Sequence, residues 1–530
     1  MTVDAPFHLG NQERSWNTYC GFLDLSLKDF MEIQEYLLME QIDTVFDSPL
    51  SKNFMPVKPQ NISEFRESVP LTTYNDYAPY LSEKKEDALA VKPYCWACTS
   101  GRGGSFKWVP YTSRAVEMYA VCSVAIVILA CASKKGEVNI SNGLRVLHNL
   151  PPPPYMSGII NELLAPKLGA RLIPPSENYS NTDFEQRIRD GFQMALHTGV
   201  DLLSSMTSVL VKMGERFTES SGQLKLNRQI MHPRILWRFL IAWLRCKKEG
   251  RNMLPKDLWS LKGLVCYGMD TSIYRDQVRY YWGKEPYEMY GATEAGTIAT
   301  QAWNKKHMTF FPACCFFEFV PEEEWLKSQE NKDYQPSTVL LDEVKPGKRY
   351  EIVISSFHGM PFLRYRLGDL IKVVTLEDKE AGIRLPQMVF ESRADGIIDI
   401  AGFTRLDEKT ILQAIVNTGI KFEDWSARKE HEESQPILRL YIELKEDFNS
   451  NQLAKLIHQQ LVNLNDDYSN LESMLGVKPI KVVVIPSGSF QRYYEGRKIE
   501  GADLANLKPP HINATDDIIM SLIKTAPDVL

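Results

Sequence analysis

Tyr290-Gly291-Ala292-Thr293-Glu294 decides how this 530-residue chain is read. The five residues close a short run that begins at Tyr287, which puts a glycine, a hydroxyl and a carboxylate at the end of a candidate strand. Upstream, Thr99-Ser100-Gly101-Arg102-Gly103-Gly104-Ser105-Phe106-Lys107 sets three glycines among three hydroxyls and two cations. Glycines let a backbone approach a ligand closely and turn its N–H groups inward, so this loop is a candidate nest for an anion such as a triphosphate. Its spacing is not that of the G-x-x-x-x-G-K-[ST] phosphate loop. Downstream, Tyr365-Arg366-Leu367-Gly368-Asp369 lies between two apolar stretches, and Ser392-Arg393-Ala394-Asp395 marks a change of texture.

Composition fits a globular chain with 44% hydrophobic and 24% charged residues. A net charge of −6 leaves no electrostatic footprint for nucleic acid. The N-terminus has no basic region followed by an apolar one, so no signal peptide is expected. The apolar run Met118–Ala132 is shorter than the about 20 residues a membrane span needs, so a buried core helix is expected and a membrane partner is not. Nine scattered cysteines fit reduced thiols in a cytoplasmic protein, and the Cys95/Cys98 pair lacks the second pair a zinc site would want.

Length predicts one large body and at least one smaller unit. Residues 1–90 read as a helical accessory segment, with helical spacing over Leu25–Phe46, after which Val69–Tyr80 is expected to break regular structure. Short apolar runs at Leu144–Leu147, Ala170–Ile173, Gly263–Tyr267 and Glu351–Ser355 alternate with longer amphipathic ones. This predicts a layered α/β body ending at residue 394. Four prolines at Pro151–Pro154 require an extended loop. Residues 395–530 read as a small α+β domain, with a helical segment Asp407–Thr418, strands at Pro436–Glu443 and Ile480–Ile485, and a helix at Asn451–Leu464.

Taken singly, each motif has an ordinary alternative: a glycine turn before a core helix, a core tyrosine, a turn aspartate, a surface ion pair. Taken in order over some 300 residues, they resemble the adenylate-forming superfamily of acyl-CoA synthetases and peptide-synthetase adenylation domains. Within it the chain is most similar to two branches, the phenylacetate–CoA ligases and the auxin-responsive acyl amido synthetases. That likeness rests on Val69–Tyr80, on residues 154–174 and on the C-terminal segment, where Gly488-Ser489-Phe490 followed by Lys508-Pro509-Pro510-His511 resembles the amido synthetases in particular.

The resemblance implies a large mixed α/β body with a small mobile C-terminal lid, and it implies ATP and Mg²⁺ as cofactors. Thr99, Ser100, Gly101, Arg102, Gly103, Gly104, Ser105 and Lys107 would cradle the β- and γ-phosphates. Tyr290 would stack on adenine, Gly291 and Ala292 would also bind the nucleotide, Thr293 would bond the α-phosphate, and Glu294 would hold Mg²⁺. Asp369 would accept the ribose hydroxyls, Arg393 would support ribose or phosphate, and Asp395 would be the hinge. Lys508 would be the catalytic lysine, offsetting repulsion between carboxylate and α-phosphate, with Lys498 as its rival. Tyr155, Met156, Ser157 and Gly158 would face Ser205 and Met206 across an apolar acid pocket closed by Gly268, Met269 and Asp270, residues also near the nucleotide.

The expected reaction joins a small carboxylic acid to an amine such as an amino acid through an acyl-AMP. A second reading makes CoA the acceptor. A third makes the chain a catalytically weak nucleotide- or acyl-binding protein, because Arg102 and Gly103 stand where the family's phosphate loop has two threonines.

Overall fold

The computed structural model describes residues 11–99, 107–175, 184–221, 233–267, 271–331, 333–394, 396–400, 404–432, 435–465, 468–469, 479–499 and 511–523. The chain divides into two compact units: Met1–Leu367 with Ile371–Phe390, and Gly368–Leu370 with Glu391–Leu530.

In the larger unit, β1 (Cys95–Thr99) and β2 (Lys107–Tyr111) form an antiparallel hairpin. The remaining strands are β3 (Arg145–His148), β4 (Arg171–Ile173), β5 (Leu202–Met206), β6 (Gly263–Tyr267), β7 (Tyr287–Ala292), β8 (Gly296–Gln301), β9 (Met308–Phe310), β10 (Cys315–Pro321), β11 (Arg349–Ser356), β12 (Tyr365–Thr375) and β13 (Gln387–Arg393). Among the described residues these eleven make one mixed sheet, ordered β10-β11-β12-β13-β9-β8-β7-β6-β5-β3-β4. From β7 to β4 every pairing is parallel. From β7 through β8 to β9 the pairing turns antiparallel. The apolar runs expected as strands supply β3, β4, β6 and β11, and helices connect the parallel strands as their geometry requires.

The apolar run around Met118 lies in the helix Ser113–Cys131, capped by Thr112, whose hydroxyl accepts the Ala115 N–H at 3.1 Å. By length and composition this helix is apolar enough to cross a membrane, but most of its apolar window is buried inside the protein. Val124, Ile128 and Leu129 are fully buried, each worth about 1.5–3 kcal/mol in apolar burial.

Residues Val69–Tyr80 correct the expectation of irregular structure, because Tyr74–Leu81 is a helix. Its start is fixed by a capping box: the Thr73 N–H and hydroxyl donate to Asp76 at 2.7 and 3.0 Å. Pro79 sits late in the helix and does not break it. The same segment ties to the start of β12. Tyr77 Oη accepts the Leu363 N–H at 2.9 Å, and the Thr72 hydroxyl donates to the Leu363 carbonyl at 2.7 Å. Arg364, at φ 43°, is held by bonds of 3.0 and 2.8 Å to the buried Glu318 carboxylate.

The smaller unit pairs β14 (Ile397–Ile400) with β15 (Thr404–Asp407) and builds a three-stranded sheet from β16 (Phe422–Glu432), β17 (Gln435–Leu444) and β18 (Ile480–Ile485). β16–β17 is antiparallel and β17–β18 parallel. The helix Ser450–Leu464 buries Leu453, Ile457 and Leu461, spaced four residues apart as one helical face demands. The helix Glu408–Asn417 starts at Asp407, whose carboxylate accepts the Thr410 N–H at 2.7 Å.

Candidate active site

In an open sheet, ligands bind beyond the carboxyl ends of parallel strands. The candidate residues of the larger unit collect at that edge. Asn149 and the tetraproline follow β3, Ser205 and Met206 end β5, and Thr293 and Glu294 follow β7.

The turn after β7 is shaped by two glycines. A Cβ on Gly291 would fall 2.6 Å from the Gly296 carbonyl oxygen, and Gly296 itself adopts φ 72°. Between them Thr293 offers its carbonyl to the Tyr111 hydroxyl at 2.6 Å. Burial pushes the Tyr111 phenol well above its usual range, so it remains a donor. Glu294 is buried. Its carbonyl accepts the Ser356 hydroxyl at 2.9 Å, and its Oε1 accepts the Tyr365 hydroxyl at 3.1 Å. Among the described residues Oε2 is left available, which fits a Mg²⁺ ion shared between one carboxylate and phosphate oxygens. Tyr290 is buried against Phe390, with ring centroids 5.5 Å apart.

The β1–β2 hairpin draws these parts together. Thr99 pairs with Lys107 at its last described rung, and Lys107 Nζ stands 5.1 Å over the Tyr74 ring. Ser100, Gly101, Arg102, Gly103, Gly104 and Ser105 lie outside the described residues. At the other side of the hairpin the Cys98 N–H donates to Pro154 at 3.0 Å, and Cys98 bridges Tyr155. One hairpin thus touches both the Thr293 turn, through Tyr111, and the tetraproline loop.

Tyr155 caps the helix Met156–Lys167, with Tyr155 and Met156 buried. Gly158 is the residue the proline loop demands: an added Cβ would lie 2.4 Å from the Pro152 carbonyl carbon and 2.6 Å from the Pro151 oxygen. Both are backbone atoms and cannot swing aside. Gly158→Ala is expected to cost about 1–3 kcal/mol and lower the Tm; a variant melting with its parent would show that the loop retreats freely.

Sequence reasoning missed Asn149. Its Nδ2 donates to Ser205 Oγ at 3.1 Å, while its Oδ1 is buried and without a hydrogen-bond partner among the described residues. Burial pushes the adjacent His148 down to about 4, so that imidazole is neutral at pH 7. The signal available in sequence was two polar residues closing an apolar strand just before the prolines.

In the smaller unit, Arg393 Nη1 donates to Asp369 Oδ1 at 3.0 Å, and Gly368 at φ 70° keeps the backbone beside that guanidinium. Lys498 is exposed in the last turn of the helix Ser489–Ile499. Gly268, Met269, Asp270, Asp395 and Lys508 lie outside the described residues.

The mixed sheet, with the Thr293–Glu294 turn at the end of β7, is that of an adenylate-forming fold. Comparison with solved structures agrees. An acyl acid amido synthetase, AtGH3.15 in complex with 2,4-DB, superposes with a TM-score of 0.72 at 17% identity, covering 97% of this chain and 96% of that one. A 2-hydroxyisobutyryl-CoA ligase superposes at 0.63 with 12% identity, covering 98% and 96%. The chain belongs to the GH3 family: the family's N-terminal domain matches residues 20–143, its central domain 308–393 and its C-terminal domain 408–517. Among curated relatives, jasmonoyl–L-amino acid synthetase GH3.5 of Oryza sativa subsp. japonica is 23% identical over 280 residues, 48% of this chain and 47% of that protein. Indole-3-acetic acid-amido synthetase GH3.4 of Arabidopsis thaliana is 24% identical over 216 residues, 38% and 34%. The chain therefore spans about half the length, or less, of the curated relatives it matches.

Proposed function

We propose that the chain is an ATP-dependent ligase that activates a small carboxylic acid as its acyl-AMP and passes the acyl group to an amine such as an amino acid. One observation carries the reading: a single hairpin, ending in the glycine loop, contacts both the Thr293–Glu294 turn and the tetraproline loop at the carboxyl edge of the parallel strands. The relatives' names, a jasmonoyl–L-amino acid synthetase and an indole-3-acetic acid-amido synthetase, support the amide product.

In the first half-reaction a carboxylate oxygen attacks the α-phosphorus and pyrophosphate leaves. The hairpin loop would hold the outgoing phosphates, and Thr293 would bond the α-phosphate. Mg²⁺ on Glu294 would neutralise charge on the phosphate oxygens. The Asp369–Arg393 pair would take the ribose, Arg393 fixing the carboxylate that would accept from the diol. In the second half-reaction an amine nitrogen attacks the acyl carbon, AMP leaves with the bonding electrons, and the nitrogen loses a proton. The unpartnered Asn149 Oδ1 would accept from a donor on the substrate.

Pyrophosphate release over a panel of acids tests the reading, and adding amino acids or CoA with mass-spectrometric detection separates amide from thioester. No acid-dependent release would leave a nucleotide- or acyl-binding protein. Lys508→Ala is expected to lower release by about 10²-fold or more, Lys498→Ala by little; the reverse order would move the lysine assignment to Lys498.

A further inference from the structure

The helix Pro233–Glu249 carries a surface that the ligase reading does not use. Leu236, Trp237, Leu240, Ile241, Trp243 and Leu244 are all exposed, Trp237 by 64% and Trp243 by 49%. Isolated exposed leucines are ordinary; six large apolar side chains on one helix, two of them tryptophan, are not. At roughly 100° per residue the six fall on one continuous arc of the helix. Ile235, Ala242 and Cys246 occupy a different arc and are buried, which accounts for how the helix is held to the body. Arg238 reinforces that attachment by donating to the Ala195 and Leu196 carbonyls at 3.4 and 3.3 Å.

The polar residues of the helix have one sign. Arg234, Arg238, Arg245, Lys247 and Lys248 are its charged residues up to position 248, with no acid among them, although the whole chain carries −6. Its single acid, Glu249, accepts from Arg251 Nε at 2.6 Å. By helical position the arginines flank the apolar arc on one side, and the two lysines lie at its C-terminal end. Lys247 Nζ stands 4.8 Å over the Trp243 ring, a cation beside one of the two exposed tryptophans.

We propose that this helix seats the protein on an anionic lipid surface, lying in the plane of the interface. Trp237, Trp243 and the leucines would enter the headgroup–acyl boundary, and the exposed Arg245, Lys247 and Lys248 would meet lipid phosphates. Charge decides between this occupant and a second copy of the chain. Two such faces packed together would oppose cation to cation, the one acid of each helix, Glu249, being taken by Arg251, whereas an anionic surface satisfies the apolar arc and the cations together. The expectation that the chain has no membrane partner rested on its lack of a spanning segment, which has no bearing on a helix lying in the interface.

Vesicle flotation of the full chain tests the proposal. Binding is expected to vesicles of phosphatidylcholine with phosphatidylglycerol and not to phosphatidylcholine alone, weakening as salt is raised. Trp237→Glu with Trp243→Glu should lower the bound fraction roughly tenfold while pyrophosphate release and the circular dichroism spectrum stay unchanged. Lys247→Glu with Lys248→Glu should abolish the preference for anionic vesicles. Quenching of wild-type tryptophan fluorescence by brominated anionic lipid gives a reading independent of how any variant folds. The proposal is overturned by absence of binding to anionic vesicles, by binding that the tryptophan variants leave intact, or by a dimer in sedimentation that those variants dissociate while the wild type ignores vesicles.

Discussion

Glu294→Gln lowers acid-dependent ATP–pyrophosphate exchange by about 10²- to 10³-fold in the expected result, a loss of roughly 3–4 kcal/mol of transition-state stabilisation. The substitution keeps the shape. An amide oxygen can still accept from the Tyr365 hydroxyl, now 3.1 Å from Oε1, and the backbone bond to Ser356 is untouched. What is lost is the negative charge on a side chain whose second oxygen faces no protein partner among the described residues. If that oxygen holds Mg²⁺ against the phosphates, glutamine weakens the metal, and raising Mg²⁺ should recover part of the rate. Tyr365→Phe separates charge from support. It removes one hydrogen bond to the carboxylate, worth about 1.5–3 kcal/mol for a charged partner, and should lower exchange by less than the charge loss does. Wild-type exchange and unaltered Mg²⁺ dependence in Glu294→Gln would remove Glu294 from the reaction.

Much of the candidate site could be proposed from sequence because the residues concerned are consecutive. A turn at the carboxyl end of a strand presents several neighbouring residues to one ligand, so the chemistry of Thr293 and Glu294 leaves a contiguous signature. The strands were legible for a related reason: Gly263–Tyr267 and Ile480–Ile485 are short apolar runs between turn signals. Support from distant segments left no such trace. Tyr365 reaches Glu294 across 71 residues, and Tyr111 reaches Thr293 across 182. The missed helix Tyr74–Leu81 turned on a local cue, since two prolines outweighed a Thr-x-x-Asp capping box that prevails in the fold. The apolar face of Pro233–Glu249 was ambiguous in principle. A helical repeat of leucine and tryptophan reads the same whether it meets a core or solvent, and only its exposure in the fold separates the two.

His511 carries the largest expected effect on stability. Its Nδ1 lies 2.6 Å from Glu408 Oε1 and its Nε2 2.8 Å from Asp424 Oδ1, while its ring stacks on Trp425 at 4.5 Å. Asp424 also accepts from the Tyr494 hydroxyl at 2.7 Å. Burial alone would favour the neutral ring, but the attraction and hydrogen bond of Asp424, joined by Glu408, prevail and push the imidazole up to about 10. The unfolded chain leaves it near 6.5. Because the folded value is the higher, the stabilisation is fully present below about pH 6.5 and is lost as pH rises through about 10. At its largest it amounts to several kcal/mol, on the order of 3–5. The ring also fixes a backbone link, since the Ala427 N–H donates to the His511 carbonyl at 2.6 Å and the Asn513 N–H returns to Ala427 at 2.9 Å. Hydrogen exchange of the full chain should therefore show β16 losing protection between pH 7 and 10, after correction for the intrinsic rate, while β5 and β6 in the larger unit hold theirs. His511→Gln should abolish that slope and destabilise β16 at pH 7, because two carboxylates then face each other without the cation between them. Protection of β16 that stays level from pH 7 to 10 in the wild type would mean the imidazole is neutral in the fold, and the ion triad would fall with it.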